Sequence, residues 1–392
     1  MIKRNITPEL LRSASEYPVV TLLGPRQSGK TTLARMTFPD KPYYSLEAPD
    51  VRMAAENDPR GFLKQMGQNG ILDEIQRCPE LLSYIQEIVD EKSGTGRFIL
   101  TGSHQPQLHQ AISQSLAGRT AMLTLWPFSL PELRLYRPKW DPFDLIVQGC
   151  YPRVHEEGLD TRRFFNGYIQ TYIERDVRAL LQIKDLTQFQ RFLTLLAGRI
   201  GQVVNLTSLG NDVGVSRVTI QHWISVLKAS FVLFELPPFH ENVGKRVIKS
   251  PKLYFTDVGI VAFLLGIHSA DQAARDPLRG SLYENLVILE IVKSALNRGH
   301  RPQVYFYRDS SGNEVDLLIR ESGILLPIEI KSGATFTTDY LKGLKHFEKL
   351  RLHGTNPGVV FYNGEQNVEI MKIRVTNFMK LNTIWDFLFT TP

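Results

Sequence analysis

The chain has 392 residues, 43% of them hydrophobic and 22% charged, which is too much for one ordinary core and implies division into units of about 100 to 200 residues. Lys and Arg outnumber Asp and Glu by 46 to 40, a net charge of +6 that leans toward polyanionic partners. Cys78 and Cys150 are the only cysteines, which excludes a disulfide framework and a four-thiolate zinc module and fits a reducing, cytoplasmic setting. The apolar run 258–267 falls far short of the roughly 20 residues that cross a bilayer, and residues 1–5 lead into no signal-peptide-like stretch, so no membrane partner is expected.

The first strand expected is 19–23, a β-branched and apolar run of the kind buried in a parallel sheet. It leads into Gly24, Pro25, Arg26, Gln27, Ser28, Gly29, Lys30 and Thr31, a complete GxxxxGKT, and Thr32 opens the helix that follows. The glycines let backbone N–H groups close around phosphates, Lys30 reaches the β and γ oxygens, and the Thr31 hydroxyl can ligate magnesium. ATP and Mg2+ are therefore the expected cofactors.

A second apolar strand over 70–74 ends in two carboxylates, Asp73 for the magnesium shell and Glu74 to polarise the attacking water. A third, over 97–100, runs into Thr101-Gly102-Ser103 at the sheet edge where ligands bind in such folds. There Ser103 either senses the γ-phosphate or caps the next helix.

A helix ending at 115–119 precedes a strand over 121–125. This order of elements resembles the AAA+ superfamily, and in particular prokaryotic AAA+ ATPases with a winged helix and a restriction-endonuclease-like C-terminal domain. The resemblance implies an α/β fold class: an AAA+ P-loop core with a parallel sheet (1–137), a helical lid (138–198), a winged helix (199–256) and a PD-(D/E)xK nuclease-like domain (257–392). It implies self-association into a ring, with hexamers the family expectation, and makes Arg119 the arginine finger that reaches a neighbouring subunit's site. The alternative for Arg119 is a helix-end arginine favoured by the macrodipole. Within the lid, Arg153 and Arg175 are the arginines placed to touch nucleotide, with a solvated helix face as the alternative.

The stretch 205–227 has a helix-turn-helix pattern: Leu206, Leu209 and Val213 on one face, a turn at Gly214-Val215, and Ser216 capping a second helix. On that helix Arg217, Gln221, Ser225 and Lys228 form a polar face, while Val218, Trp223, Ile224 and Leu227 are assigned to the core. Strand-like runs at 231–236 and 252–255 flank a basic loop with Lys245, Arg246 and Lys249. Residues 199–252 hold seven Lys or Arg and three Asp or Glu, so this unit carries +4 of the chain's +6. Arg217, Gln221, Lys228, Lys245, Arg246 and Lys249 are thus the expected DNA contacts, with protein docking as the other use of such a unit.

Two strands, 313–320 and 324–331, flank Glu321-Ser322-Gly323. A two-residue Ser322-Gly323 turn pairs Glu321 with Ile324 and, counting outward, sets Asp316 opposite Glu329 and Glu314 opposite Lys331. Val315, Leu317, Ile319, Leu326, Ile328 and Ile330 take the other face. Carboxylates at cross-strand separation of about 5 Å suit magnesium, and Lys331 can stabilise charge on a phosphate. Asp316 and Glu329-x-Lys331 resemble the PD-(D/E)xK signature, and that resemblance makes Glu284 the helical acidic ligand beside metal ligands Asp316 and Glu329, with Tyr340 a weaker addition. A salt-bridged surface is the alternative.

Two functions follow as expectations. One is an AAA+ ATPase that engages or remodels DNA, with branched or recombining DNA preferred by analogy to junction nucleases. The other is an ATP-dependent switch acting on proteins, its C-terminal carboxylates structural.

Overall fold

The computed structural model describes residues 2–91, 93–103, 106–177, 185–239 and 250–389. Its first part is built on five parallel strands: β1 (Val19–Leu23), β2 (Tyr43–Ser45), β3 (Gly70–Asp73), β4 (Phe98–Gly102) and β5 (Thr120–Thr124). They lie in the order β2-β3-β4-β1-β5, so the glycine-rich strand β1 is interior. Every residue of β1, β3 and β4 is buried, which explains their continuous apolar runs: helices cover both faces and no alternation is needed. All five strands point their carboxyl ends at one edge, and the turn after β1 opens there into helix Lys30–Thr37.

After β5 the chain turns helical, with Pro142–Gln148, Pro152–Glu156 and Thr161–Tyr168, the last continuing as a π-helix over Ile169–Val177. Three further helices, Leu186–Ala197, Leu206–Val213 and Arg217–Ala229, are followed by the antiparallel pair β6 (Leu233–Leu236) and β7 (Lys252–Phe255). Ser216 accepts from the Thr219 amide and caps Arg217–Ala229, while Gly214, at φ 86°, ends the preceding helix in the left-handed conformation that glycine adopts without steric cost.

The last part is a six-stranded sheet, β8 (Gln303–Arg308), β9 (Glu314–Glu321), β10 (Ile324–Lys331), β11 (Val359–Tyr362), β12 (Val368–Ile370) and β13 (Ile373–Thr376), in the order β12-β13-β11-β10-β9-β8. Helix Arg279–Leu296 packs on one face and Lys342–Glu348 on the other. Ser322 and Gly323 sit at φ 47° and 82°, both left-handed as a tight two-residue hairpin requires, and Glu321 pairs with Ile324.

Three placements differ from the sequence expectation. Val218 is 75% exposed: Ile220, Trp223, Ile224 and Leu227 define the buried stripe of its helix, and Val218 falls about half a turn away from Ile220. Val315 packs with Leu318 and Leu325 instead of with Leu317 and Ile319, because a register shift between Tyr305 and Tyr307 of β8 breaks the alternation of β9. The expected boundaries at 138, 199 and 257 do not separate cores, since one continuous apolar cluster runs from Trp126 to Leu388. Within it, helices Val258–Leu264 and Ala270–Arg275 lie on Pro142–Gln148.

Lys245, Arg246 and Lys249 lie outside the described residues, as does the side chain of Arg175. Cys78 and Cys150 are buried and unbridged, and among the described residues no helix is long and apolar enough to cross a membrane.

Candidate nucleotide site and a carboxylate–lysine cluster

Gly24 enters the loop where only glycine fits, because a Cβ there would stand 2.1 Å from the Leu125 carbonyl oxygen. Gly29, at φ 90°, then turns the chain into helix Lys30–Thr37, whose free amides face a cleft of about 800 Å³. Arg26, Gln27, Gly29, Lys30, Thr31 and Thr32 line that cleft together with Glu74. Arg26 also lies over the Tyr172 ring, 5.5 Å from its centroid, which ties the loop to the helical segment.

The Lys30 ammonium is buried and donates to the carbonyls of Gly24 (3.0 Å) and Pro25 (2.8 Å). Burial pulls its pKa down to about 8, with Glu74 and Asp73 opposing part of that shift. The Ser28 hydroxyl is buried with no hydrogen-bond partner among the described residues, which is costly unless a ligand oxygen meets it. A buried cation, an orphan hydroxyl and a helix amino terminus facing one cleft fit a polyphosphate.

Thr31 and Asp73 meet, the Thr31 hydroxyl donating to Asp73 Oδ1 at 2.8 Å. Tyr43 donates to Asp73 Oδ2 at 2.9 Å and Thr101 donates to Oδ1, so three hydroxyls bond this carboxylate. A hydroxyl beside a carboxylate that pairs with no side-chain cation among the described residues is a donor set that magnesium accepts, with Thr31 and Asp73 as the residues that would hold it.

Glu74 follows β3 in the left-handed conformation, φ 57°, a strain on the order of 1 kcal/mol for a non-glycine residue. Its carboxylate accepts from Gln76 and, at 3.3 Å, from Ser103; Gln76 also bonds Ser103 at 2.9 Å. The Ser103 hydroxyl is therefore committed to Glu74 and Gln76 at the mouth of the phosphate site.

Arg119 stands at the opposite, amino edge of the sheet, next to Val19, and holds Asp90 through two bonds of 2.5 and 2.8 Å. It is a third exposed and faces away from its own chain's cleft. Arg153, in contrast, lines the cleft, its guanidinium paired with Glu157.

Sequence reasoning missed the floor of this site. Arg4, only 6% exposed, donates to the carbonyls of Ser28 and Trp126 at 2.7 Å each and to Glu132 at 3.0 Å, and it lies over the Phe128 ring. Glu132 is fully buried and also accepts from Ser129 in a capping box. No motif signals this, because Arg4 meets Glu132 across 128 positions of sequence. Tyr43, Thr101 and Gln76 were missed likewise; Thr101 was within reach, lying two residues before Ser103 on a strand already in view.

In the C-terminal part the observed register of β9 with β10 runs from Glu321 opposite Ile324 to Leu317 opposite Ile328, and the next residues out are Asp316 and Glu329. Lys331 bonds Asp316 at 2.9 Å and Glu329 at 2.5 Å, and the Ile330 amide also donates to Asp316. Glu284, on helix Arg279–Leu296, joins the same cluster but is held by Lys252 (3.1 Å) and by the Tyr254 hydroxyl. Lys252 reaches Glu314 at 2.5 Å as well, and Glu314 also faces Arg308 at 3.4 Å. Tyr340 stays apart from these contacts, packing on Phe336.

Burial, then Asp316, holds the Glu329 carboxyl well above the usual range, and burial raises Glu284 too. Burial would likewise raise Asp316, but Lys331 and Lys252 outweigh it and hold Asp316 low. The sequence signature is thus gathered in space with its carboxylates already matched by lysines. Among the described residues no three acidic, histidine or cysteine side chains are disposed to hold a metal ion, so as built this cluster does not fit magnesium.

On the helix Arg217–Ala229, Arg217, Gln221 and Ser225 are exposed on one face with Val218, while Lys228 is partly covered and paired with Glu235 of β6.

Sequence comparison places this geometry. A family model described as an AAA domain matches residues 16–134, one for a domain of unknown function (DUF8612) matches 140–271, and one for a second (DUF4143) matches 279–382. The chain is 30% identical over 338 residues to Uncharacterized protein Rv2008c of Mycobacterium tuberculosis, covering 85% of this chain and 74% of that one. It is 25% identical over 313 residues to Uncharacterized protein MJ1637 of Methanocaldococcus jannaschii, covering 70% and 63%. Among solved structures, the Walker-type ATPase PABY2304 of Pyrococcus abyssi aligns at 14% identity over 67% of this chain and 96% of its own, with a TM-score of 0.41. AMPPCP-bound DnaA from Aquifex aeolicus aligns at 16% over 57% and 85%, with a TM-score of 0.30. By this sequence identity the chain, an AAA-domain P-loop ATPase fold with two further parts, belongs to the family of Rv2008c from M. tuberculosis.

Proposed function

We propose that this protein hydrolyses ATP to engage or remodel DNA, with branched or recombining DNA as the preferred substrate. One observation carries the ATPase half: Lys30, Thr31, Thr32 and Glu74 line one cleft, with Asp73 bonded to Thr31 at 2.8 Å behind it. Lys30 and the loop amides bind the β and γ phosphates, Thr31 and Asp73 would hold Mg2+, and Glu74, kept by Gln76 and Ser103, orients the attacking water. Magnesium supplies charge neutralisation on the phosphates when bound. Arg119 serves as the arginine finger of an adjacent protomer in a ring, since it is exposed on the edge away from its own cleft.

The DNA half rests on charge and exposure. Helices Leu206–Val213 and Arg217–Ala229 with β6 and β7 form a winged-helix unit, and its second helix turns Arg217 and Gln221 outward, while the sequence between β6 and β7 supplies the basic residues Lys245, Arg246 and Lys249. The C-terminal domain, nuclease-like in its Asp316, Glu329 and Lys331, adds a binding surface. A second reading, an ATP-dependent switch on proteins, is favoured by one observation: Val218 puts an exposed apolar side chain at the centre of that outward face.

A single gel separates these. Full-length protein is mixed with end-labelled duplex, flapped and four-way-junction DNA in magnesium and in manganese, beside Asp316→Ala and Lys30→Ala. A shift supports DNA engagement, and cleavage lost in Asp316→Ala assigns the nuclease reaction to the C-terminal cluster. No shift at low salt overturns the DNA reading in favour of the protein switch.

A further inference from the structure

The carboxylate cluster contains one cation that the nuclease-like signature does not include. Lys252 comes from β7 of the middle segment, not from the C-terminal sheet, and is only 2% exposed. Its ammonium bonds Glu284 at 3.1 Å and Glu314 at 2.5 Å and lies 5.4 Å from the centre of the Phe306 ring. Two lysines, Lys252 and Lys331, thereby engage Glu284, Glu314, Asp316 and Glu329. Burying an ammonium costs several kcal/mol unless it is matched, so its placement among carboxylates is the reason it can stay there.

A divalent ion needs the same oxygens. Magnesium takes hard oxygen ligands at about 2.0 to 2.1 Å in near-octahedral array, and Glu284 is already spent on Lys252 while Asp316 is spent on Lys331. Adding two positive charges beside the fixed Lys252 charge in a buried site is repulsive, so the ion and the lysine compete for one position. We propose that Lys252 is a tethered cation occupying the metal position of the Glu284–Asp316–Glu329 cluster, so that docking of β7 and entry of a divalent ion are mutually exclusive. The inference rests on the nuclease-like reading of these carboxylates. It adds that the middle segment, through one side chain, keeps them metal-free.

Burial lowers the Lys252 pKa, but Glu284, Asp316 and Glu314 together more than reverse this and hold it above the ordinary lysine value, so the plug carries its charge across the physiological range.

The test is Mn2+ binding to the full-length, nucleotide-free chain, read by electron paramagnetic resonance, with wild type, Lys252→Met and Lys252→Met/Asp316→Asn compared. The wild type is expected to show no Asp316-dependent manganese site, and Lys252→Met to gain one at least about tenfold tighter, the scale on which groups around a metal site alter its affinity. Lys252→Met/Glu314→Gln removes one cation and one anion together and gives the same gain if the single variant fails to fold. A wild-type site that depends on Asp316 and is no tighter without Lys252 overturns the plug while leaving the nuclease-like reading intact. Folded Lys252 variants that bind no manganese overturn the plug and the metal competence of the carboxylates together, and DNA binding in the gel above remains an independent result.

Discussion

Lys30 makes nucleotide affinity depend on pH in a direction the structure fixes. Its folded pKa is lowered to about 8 by burial, below the ordinary lysine value near 10.4. In the free protein the ammonium is charged below pH 8 and neutral above it. Phosphate oxygens stabilise the charged form and raise the Lys30 pKa in the complex, so binding at high pH must take up a proton. Affinity is therefore full below pH 8 and falls as pH rises through it. The protonated fraction drops from about 0.76 at pH 7.5 to about 0.03 at pH 9.5, which predicts a loss of about 25-fold, or about 1.9 kcal/mol, at 1.36 kcal/mol per tenfold. The assay is calorimetric titration of a non-hydrolysable ATP analogue with magnesium at both pH values. Buffers of different ionisation enthalpy count the proton taken up. An affinity that is flat from pH 7.5 to 9.5, with no proton uptake, refutes the buried, depressed lysine on which the reasoning rests.

Other consequences are equally direct. Arg4→Met strands the fully buried Glu132 carboxylate and is expected to cost roughly 3 to 5 kcal/mol in denaturant unfolding, whereas Arg4→Met/Glu132→Gln recovers part of that loss; simple additivity of the two single variants contradicts the coupling. Arg119→Ala leaves the melting temperature unchanged, since its side chain bonds surface Asp90 and the Ala117 carbonyl, but lowers turnover by roughly 10³-fold. Mixing Arg119→Ala with Lys30→Ala restores part of the turnover if the arginine acts in a neighbour's site, and none if it does not. Arg217→Ala reduces the slope of log affinity for DNA against log salt by about 0.9, one phosphate contact, and an unchanged slope removes that residue from the interface.

The parts of this structure that local chemistry dictates were legible in the sequence. The phosphate loop needs a strand, a left-handed glycine and a helix start in immediate succession, and all three are written in residues 19–37. The β9–β10 register was readable because Ser322-Gly323 accepts two left-handed residues and thereby fixes every pair outward from Glu321 and Ile324. What escaped depends on distant partners. Arg4 finds Glu132, Lys252 finds Glu284, and Lys293 on helix Arg279–Leu296 bonds the Phe128 carbonyl at 2.9 Å, contacts that no local pattern encodes. Local periodicity also misassigned Val218 and Val315, the first at a helix start where two turns do not yet define a face, the second beside a bulge in its own strand that shows only in the pairing with β8. The merged core of the middle and C-terminal parts has the same origin: helix Val258–Leu264 packs back on Pro142–Gln148, a contact that no local pattern encodes.

The central claim is that ATP turnover at Lys30 is coupled to DNA. Steady-state ATP hydrolysis by the full-length chain, with and without four-way-junction DNA at low salt, beside Lys30→Ala, tests it most directly. The account predicts turnover that rises with DNA and vanishes in Lys30→Ala. Turnover that is Lys30-dependent yet indifferent to every DNA form contradicts it and leaves an ATPase whose object is another protein.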